Sequence, residues 1–156
     1  MGPYPSPGNG AERKKAIAMI NDHAIKKLFA EYEKAFAHLD IERSAGFFAD
    51  TFISAGPAGA IAQSKAEFLK MASQAAAFYR SVGQNSAKIL GSEEVPISNE
   101  YSMVRIHWGA TSRKTGDRLI EFDVTYFVQK IGPEPKIIMF IAHQDEKKAM
   151  QELGLV

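Results

Sequence analysis

Between Asp22 and Leu39 the apolar residues Ile25, Leu28, Phe29, Tyr32, Phe36 and Leu39 recur at helical spacing. Lys26, Lys27, Glu31, Glu33 and Lys34 fill the positions between them. A stripe of that kind follows one face of an α-helix and predicts an amphipathic helix from Asp22 onward. Ala11 to Ile20 also predicts a helix, broken at Asn21-Asp22, where Asp22 offers a fresh N-cap. Asp40 predicts the cap of a second, shorter helix running through Phe48, with Ile41, Ala45 and Phe48 buried. Further on, Ser64-Lys65-Ala66-Glu67 has the spacing of a capping box, in which the serine and glutamate side chains satisfy each other's backbone amides. The alanine-rich helix that it starts is expected to pack against a sheet and to end near Ser81 to Gly83.

The remaining pattern is that of strands. Thr51 to Ser54 predicts a short strand, and Gly56-Pro57-Ala58-Gly59 a turn after it. Ser86 to Glu94 and Tyr101 to Ser112 predict two more strands, the second followed by a Lys114-Thr115-Gly116-Asp117 turn. Arg118 to Lys130, rich in β-branched and aromatic residues, carries the strongest strand signal. Ile131 to Pro135 turns the chain, because two prolines cannot continue a ladder. Lys136 to His143 predicts the last strand, and Asp145 to Leu153 a closing helix capped by Gly154. Helices first and antiparallel strands last define an α+β class.

Composition narrows the function classes. The chain has 156 residues, 46% of them hydrophobic, with 19 Lys plus Arg against 18 Asp plus Glu. This length suits one domain, expected over residues 11–156, after a leader of loosely ordered chain over residues 1–10 that holds three prolines and three glycines. A net charge of +1 speaks against a protein that tracks nucleic-acid phosphates. No apolar run is long enough for a membrane span and no basic start precedes an apolar core, so the expected compartment is the cytoplasm. Cysteine is absent, which removes disulfides, thiolate metal sites and a thiol nucleophile. His23, His38, His107 and His143 lack metal-ligand spacing, and there is neither a dinucleotide-binding glycine motif nor a P-loop lysine, so no metal and no cofactor are expected.

The order of elements, together with Leu39-Asp40, the run Phe47-Phe48-Ala49-Asp50, the Gly56-to-Gly59 turn before a capped helix and three long strands ending at His143, resembles the nuclear transport factor 2-like superfamily over about residues 22–150. That superfamily includes polyketide-cyclase (SnoaL-like) proteins and ketosteroid isomerase. The resemblance implies a strongly bent antiparallel sheet that forms a cone with the helices and encloses a pocket, and it implies homodimers through the outer sheet face. Tyr32 occupies a position like the oxyanion-holding tyrosine of ketosteroid isomerase. The loop aspartate of that enzyme would fall where this chain has Gly56, and its strand acid near Thr125, with Asp123 two residues away. Steroid-type isomerisation is therefore not implied.

Turn lengths suggest a strand register. A two-residue turn at Thr115-Gly116 places Trp108 opposite Asp123, and a turn over Ile131 to Pro135 places Asp123 opposite His143. Trp108, Asp123, Thr125 and His143 would then share a face with Val104, Ile106, Phe127, Met139 and Ile141, an apolar lining with a few polar groups. On this reading Asp123 and His143 form a hydrogen-bonded acid–base pair, while Tyr32, Trp108, Thr125 and Phe127 contact a ligand. The same pair reads more readily as a satisfied structural contact or a mere ligand contact, with Trp108 as ordinary core. The opposite face would carry Arg105, His107, Ile120, Phe122, Val124 and Tyr126. So much apolar surface calls for a covering helix or a two-fold partner, and the resemblance favours the partner. Two functions stay open: a polyketide-cyclase-like small-molecule protein doing isomerase, cyclase or hydratase chemistry on an apolar oxygenated ligand, and a non-catalytic homodimerisation or scaffold module.

Overall fold

A computed structural model describes residues 20–81, 83–112 and 119–145. The expected leader, the first helix over 11–20 apart from Ile20, the 114–117 turn and the closing helix beyond Asp145 lie outside the described residues.

Helix α1 spans His23–Ala37 and buries Ile25, Leu28, Phe29 and Ala35 along the predicted stripe. Asp22 caps it, its carboxylate accepting the Ile25 amide at 3.1 Å. That hydrogen bond, opposed by partial burial and helped by Lys130, holds the Asp22 carboxyl below its ordinary range. The helix ends where Leu39 takes a left-handed φ of 53°. Asp40 then caps the short helix α2, Ile41–Ala45, by accepting the Arg43 amide at 3.2 Å. The expected continuation to Phe48 fails because Phe48 already opens a strand, with its ring in the core. An ion pair between Arg43 and Glu31 ties the two helices together.

Strand β1 is Phe48–Gly56, longer than expected, and β2 is Gly59–Ser64. They form a hairpin in which Gly56 pairs with Gly59, and the φ of 133° at Gly59 is one that a side chain would oppose. The sequence Gly-Ala-Ile-Ala-Gln-Ser has little β character of its own, so β2 depends on its pairing with β1. Helix α3, Lys65–Ser81, begins at the predicted capping box, with the Glu67 amide donating to Ser64 Oγ at 3.1 Å and the Ser64 amide to Glu67 Oε2 at 3.3 Å. It stops at Gly83, whose φ of 73° reverses the chain.

Strands β3 (Gln84–Pro96), β4 (Tyr101–Ser112), β5 (Leu119–Gln129) and β6 (Lys136–Ala142) complete a six-stranded sheet of order β2-β1-β6-β5-β4-β3. All neighbours are antiparallel except β1 and β6, which run parallel. Bulges interrupt β1–β6, β3–β4 and β5–β6, and they let so long a sheet curl around the helices. The architecture is α+β, with the helices held in a curled sheet.

The register departs from expectation at one ladder and keeps to it at the other. Trp108 stands opposite Phe122, and His107 opposite Asp123, one residue away from the turn-length estimate. A one-residue slip inverts every side chain. The inner face therefore carries Val104, Ile106, Trp108, Phe122, Val124, Tyr126, Val128 and Ile137, packed on Ile25, Leu28 and Phe29 of α1. Thr125, Phe127, Met139 and Ile141 lie on the outer face, not beside Trp108. Ile120, Phe122, Val124 and Tyr126 lie on the inner face, not beside Arg105 and His107. The cause is energetic. The expected register would turn an aspartate and a histidine into the core and expose four aromatic or branched residues, at a cost of several kcal/mol per unpaired charge. Between β5 and β6 the ladder runs as expected, with Val124 opposite Ala142 and the His143 amide donating to the Asp123 carbonyl at 3.0 Å.

Candidate functional site

The concave face of the sheet and the three helices leave a cavity of about 230 Å³ between them. Tyr32 and Phe36 reach it from successive turns of α1, Ile41 and Ser44 from α2, and Phe68 and Tyr79 from α3. Trp108, Phe122, Val124, Tyr126, Phe140 and Ala142 form the sheet wall, with Gln144 just past the end of β6. The alternation of β5 delivers Phe122, Val124 and Tyr126 to one side because each is two residues from the next.

The aromatic rings pack against one another, Tyr32 edge-on to Tyr126 and tilted against Trp108. Tyr32 lies 5.9 Å from Trp108 and 5.9 Å from Tyr126, centroid to centroid, and Phe36 lies 5.2 Å from Trp108. A short chain of polar atoms runs through them. The Trp108 indole, which can only donate, gives its Nε1–H to the Tyr126 hydroxyl at 3.1 Å. Tyr126 is hydrogen-bonded in turn to Tyr32. A Tyr126 hydroxyl that accepts from the indole and gives its own proton to Tyr32 would leave the Tyr32 proton for the cavity. Burial pushes the Tyr32 phenol up to about 12, against the opposing pull of the Tyr126 hydrogen bond. At neutral pH the group is therefore an uncharged donor.

The outer face of the same strands has the opposite character. His107 lies between two carboxylates, with Nδ1 2.9 Å from Asp123 Oδ1 and Nε2 2.9 Å from Glu121 Oε1. Both ring nitrogens face acceptors, so the imidazolium form is favoured. The hydrogen bond to Glu121 first, then that to Asp123, raises the His107 pKa against a smaller loss from burial. For Asp123 burial alone would raise the carboxyl. Hydrogen bonds from His107 and Gln144, with the charges of His107 and Arg105, overcome it and hold the group below its ordinary value. Arg105 stands 3.7 Å from Asp123 Oδ1. Gln144 bridges the two faces, since Oε1 accepts the Asp123 amide at 2.7 Å and Nε2 donates to Asp123 Oδ2 at 3.3 Å.

The residues singled out in the sequence thus separate. Tyr32 and Trp108 meet at the cavity. Thr125 and Phe127 do not reach it, being on the outer face. Asp123 borders the cavity, but its carboxylate is engaged by His107, Arg105 and Gln144. His143 bonds Thr125, Nε2 to Oγ1 at 2.7 Å, and is no hydrogen-bond partner of the Asp123 carboxylate. The anticipated Asp123–His143 acid–base pair is therefore replaced by an Asp123–His107 pair, as the one-residue register difference requires. Phe122, Tyr126 and Gln144 were missed as cavity residues. The alternation of Ile120, Phe122, Val124 and Tyr126 against Glu121, Asp123 and Thr125 carried the signal for the first two. Among the described residues no cluster of three or more His, Asp or Glu side chains is arranged to hold a metal ion, and no helix is long and apolar enough to cross a membrane.

Solved structures share this architecture. An NTF-2 like protein of unknown function from Shewanella oneidensis MR-1 superposes with a TM-score of 0.65 at 18% identity, over 78% of this chain and 97% of that one. A protein of unknown function with a cystatin-like fold from Nostoc punctiforme PCC 73102 gives 0.61 at 18% identity, over 79% and 90%. A ketosteroid isomerase-like protein from Erwinia carotovora atroseptica SCRI1043 gives 0.55 at 17%, over 80% and 97%. At such identities the likeness is one of fold alone. A comparison with curated proteins finds no match. A family model, described as NTF2-like protein (DUF6841), matches residues 21–145. With the helices set in a curled six-stranded sheet around an aromatic cavity, that match shows that the chain belongs to the NTF2-like family DUF6841.

Proposed function

We propose that this chain is a small-molecule-binding protein of the polyketide-cyclase-like (SnoaL-like) kind, whose cavity takes an apolar, oxygenated ligand. The observation that carries the reading is the aromatic-walled cavity with the Tyr32 hydroxyl as a neutral donor at its wall. Such a donor, held in a site of low polarity, stabilises negative charge growing on a carbonyl oxygen. That is the chemistry the cavity offers to an isomerase, cyclase or hydratase reaction. Acid–base work by Asp123 with His143 forms no part of the reading, because those side chains bond other partners. A thermal-shift screen of a metabolite library tests it. A hit that stabilises the wild type and loses its effect in Trp108→Leu supports the reading, while a screen without hits, or hits indifferent to the variant, removes it.

A second reading, homodimerisation through the outer face, has its own support. One cross-strand row, Val95, Met103, Phe127, Met139, Ile53 and Ala62, crosses all six strands on that side. Every residue in it is apolar, and Val95 and Ile53 are 42% and 40% exposed. A continuous apolar strip of this length is poorly suited to water and well suited to a second copy. Sedimentation at micromolar concentration should give a dimer that Phe127→Glu dissociates, and a monomeric wild type would end this reading.

A further inference from the structure

The size and polarity of the cavity narrow the ligand beyond an apolar, oxygenated molecule. A dry cavity of about 150 Å³ accepts benzene. The cavity here is about 230 Å³, room for one ring and a second fused to it, and too little for four.

The polar inventory is equally restrictive. Among the described residues, no lysine, arginine or histidine lines the cavity. The one carboxylate at its border, Asp123, is neutralised from the other side by His107 and Arg105. A charged ligand would therefore be desolvated without a counter-charge, which is costly in a site of this kind. Several of the polar groups at the wall are already engaged. Ser44 already gives its proton to the Asp40 carbonyl at 2.9 Å, and Gln144 Oε1 already accepts the Asp123 amide. Gln144 Nε2 spends one of its two protons on Asp123, so its other N–H and the Tyr32 O–H are donors that a ligand can use. Aromatic faces and edges around them favour a flat, conjugated partner.

We propose that the cavity selects uncharged two-ring aromatic molecules carrying a carbonyl or similar acceptor oxygen, which accepts a hydrogen bond from the Tyr32 hydroxyl. This rests on the cavity being a ligand site, as proposed above.

The test uses the full chain and four probes: 1-tetralone, its hydrocarbon counterpart tetralin, 2-naphthoate and a four-ring steroid ketone. Binding is followed by calorimetry and by the fluorescence of Trp108, the chain's one tryptophan, which stands in the cavity wall. The two-ring ketone should bind at least tenfold more tightly than the hydrocarbon and the carboxylate, and the steroid should not saturate. In Tyr32→Phe the ketone should fall to the level of the hydrocarbon, whose own affinity stays unchanged. Equal or tighter binding of 2-naphthoate or of the steroid overturns the proposed class and leaves the cavity reading intact. So does a ketone preference that survives in Tyr32→Phe. Failure of all four probes to bind, tetralin included, removes the cavity reading and this proposal with it.

Discussion

Strands β4 and β5 present two unlike chemistries on their two faces, separated by no more than the thickness of the sheet. On the inner side Trp108, Tyr126 and Tyr32 pass a hydrogen bond along a line of neutral groups, and burial keeps the Tyr32 phenol protonated. On the outer side Glu121, His107, Asp123 and Arg105 form a charged cluster in contact with water. A lone buried group stays neutral, since nothing replaces the hydration its charge would lose. The half-exposed imidazole holds its proton more firmly than a free one, because hydrogen bonds to two carboxylates favour the charged form. Alternation along the strand sets which side chain meets which medium, and the medium then sets its protonation.

The largest break in this contrast should come from the inner face. Trp108 is 1% exposed, and Trp108→Ala should lower the unfolding free energy by about 3–5 kcal/mol in denaturant titrations. It empties the space and removes the donor on which Tyr126 relies. A loss below about 1 kcal/mol would mean that the inner wall tolerates a void and is loosely packed.

Tyr32→Phe sharpens the same side through pH. The folded pKa lies near 12 and the unfolded value near 10, so the contribution of this phenol is fully present below pH 10 and is lost as pH rises through 12. Wild-type stability should therefore fall faster than that of the variant between pH 10 and 12, with a difference approaching about 2 kcal/mol. Parallel curves would show that the phenol is not shielded from water. Tyr126→Phe leaves the Trp108 N–H without an acceptor and should cost about 1–2 kcal/mol at neutral pH.

The outer cluster should give the smallest effect. With His107 raised above its ordinary value, its interactions stabilise the fold fully below about pH 6.5 and fade as pH rises through the higher folded value. His107→Gln should thus destabilise by less than about 1 kcal/mol at pH 6, since the group is partly exposed, and by less still at pH 9. An effect that grows toward alkaline pH would reverse the sign and remove the imidazolium assignment.

Legibility followed the range of the interactions. Helix α1 with its Asp22 cap, the Asp40 cap of α2, the Ser64–Glu67 capping box and strands β4 to β6 were readable, because each depends on neighbours within one or two turns or on alternation inside one segment. Strand β2 was not, since its residues have little strand character without β1 beside them. Tyr32, singled out by its likeness in position to the ketosteroid isomerase tyrosine, and Trp108, singled out by the face assigned to β4, both border the cavity. The Asp123–His143 pair is not legible, because turn length is a weaker constraint on register than the apolar alternation of β5.

By itself the amino-acid order determined an α+β chain whose helices come before its long strands, with no thiol for chemistry and with Asp, Glu, His and Tyr as the available polar groups. Only the tertiary structure decided which of them work together. His107 was paired with Asp123, Tyr32 with Tyr126, and His143 with Thr125 by the register of β4, β5 and β6 and by the curl that brings helix and sheet together. The register is a property of the whole core. The correct alignment is the one that buries Phe122, Val124 and Tyr126 with Trp108 and leaves the charges in water, and that balance is struck between segments far apart in the chain.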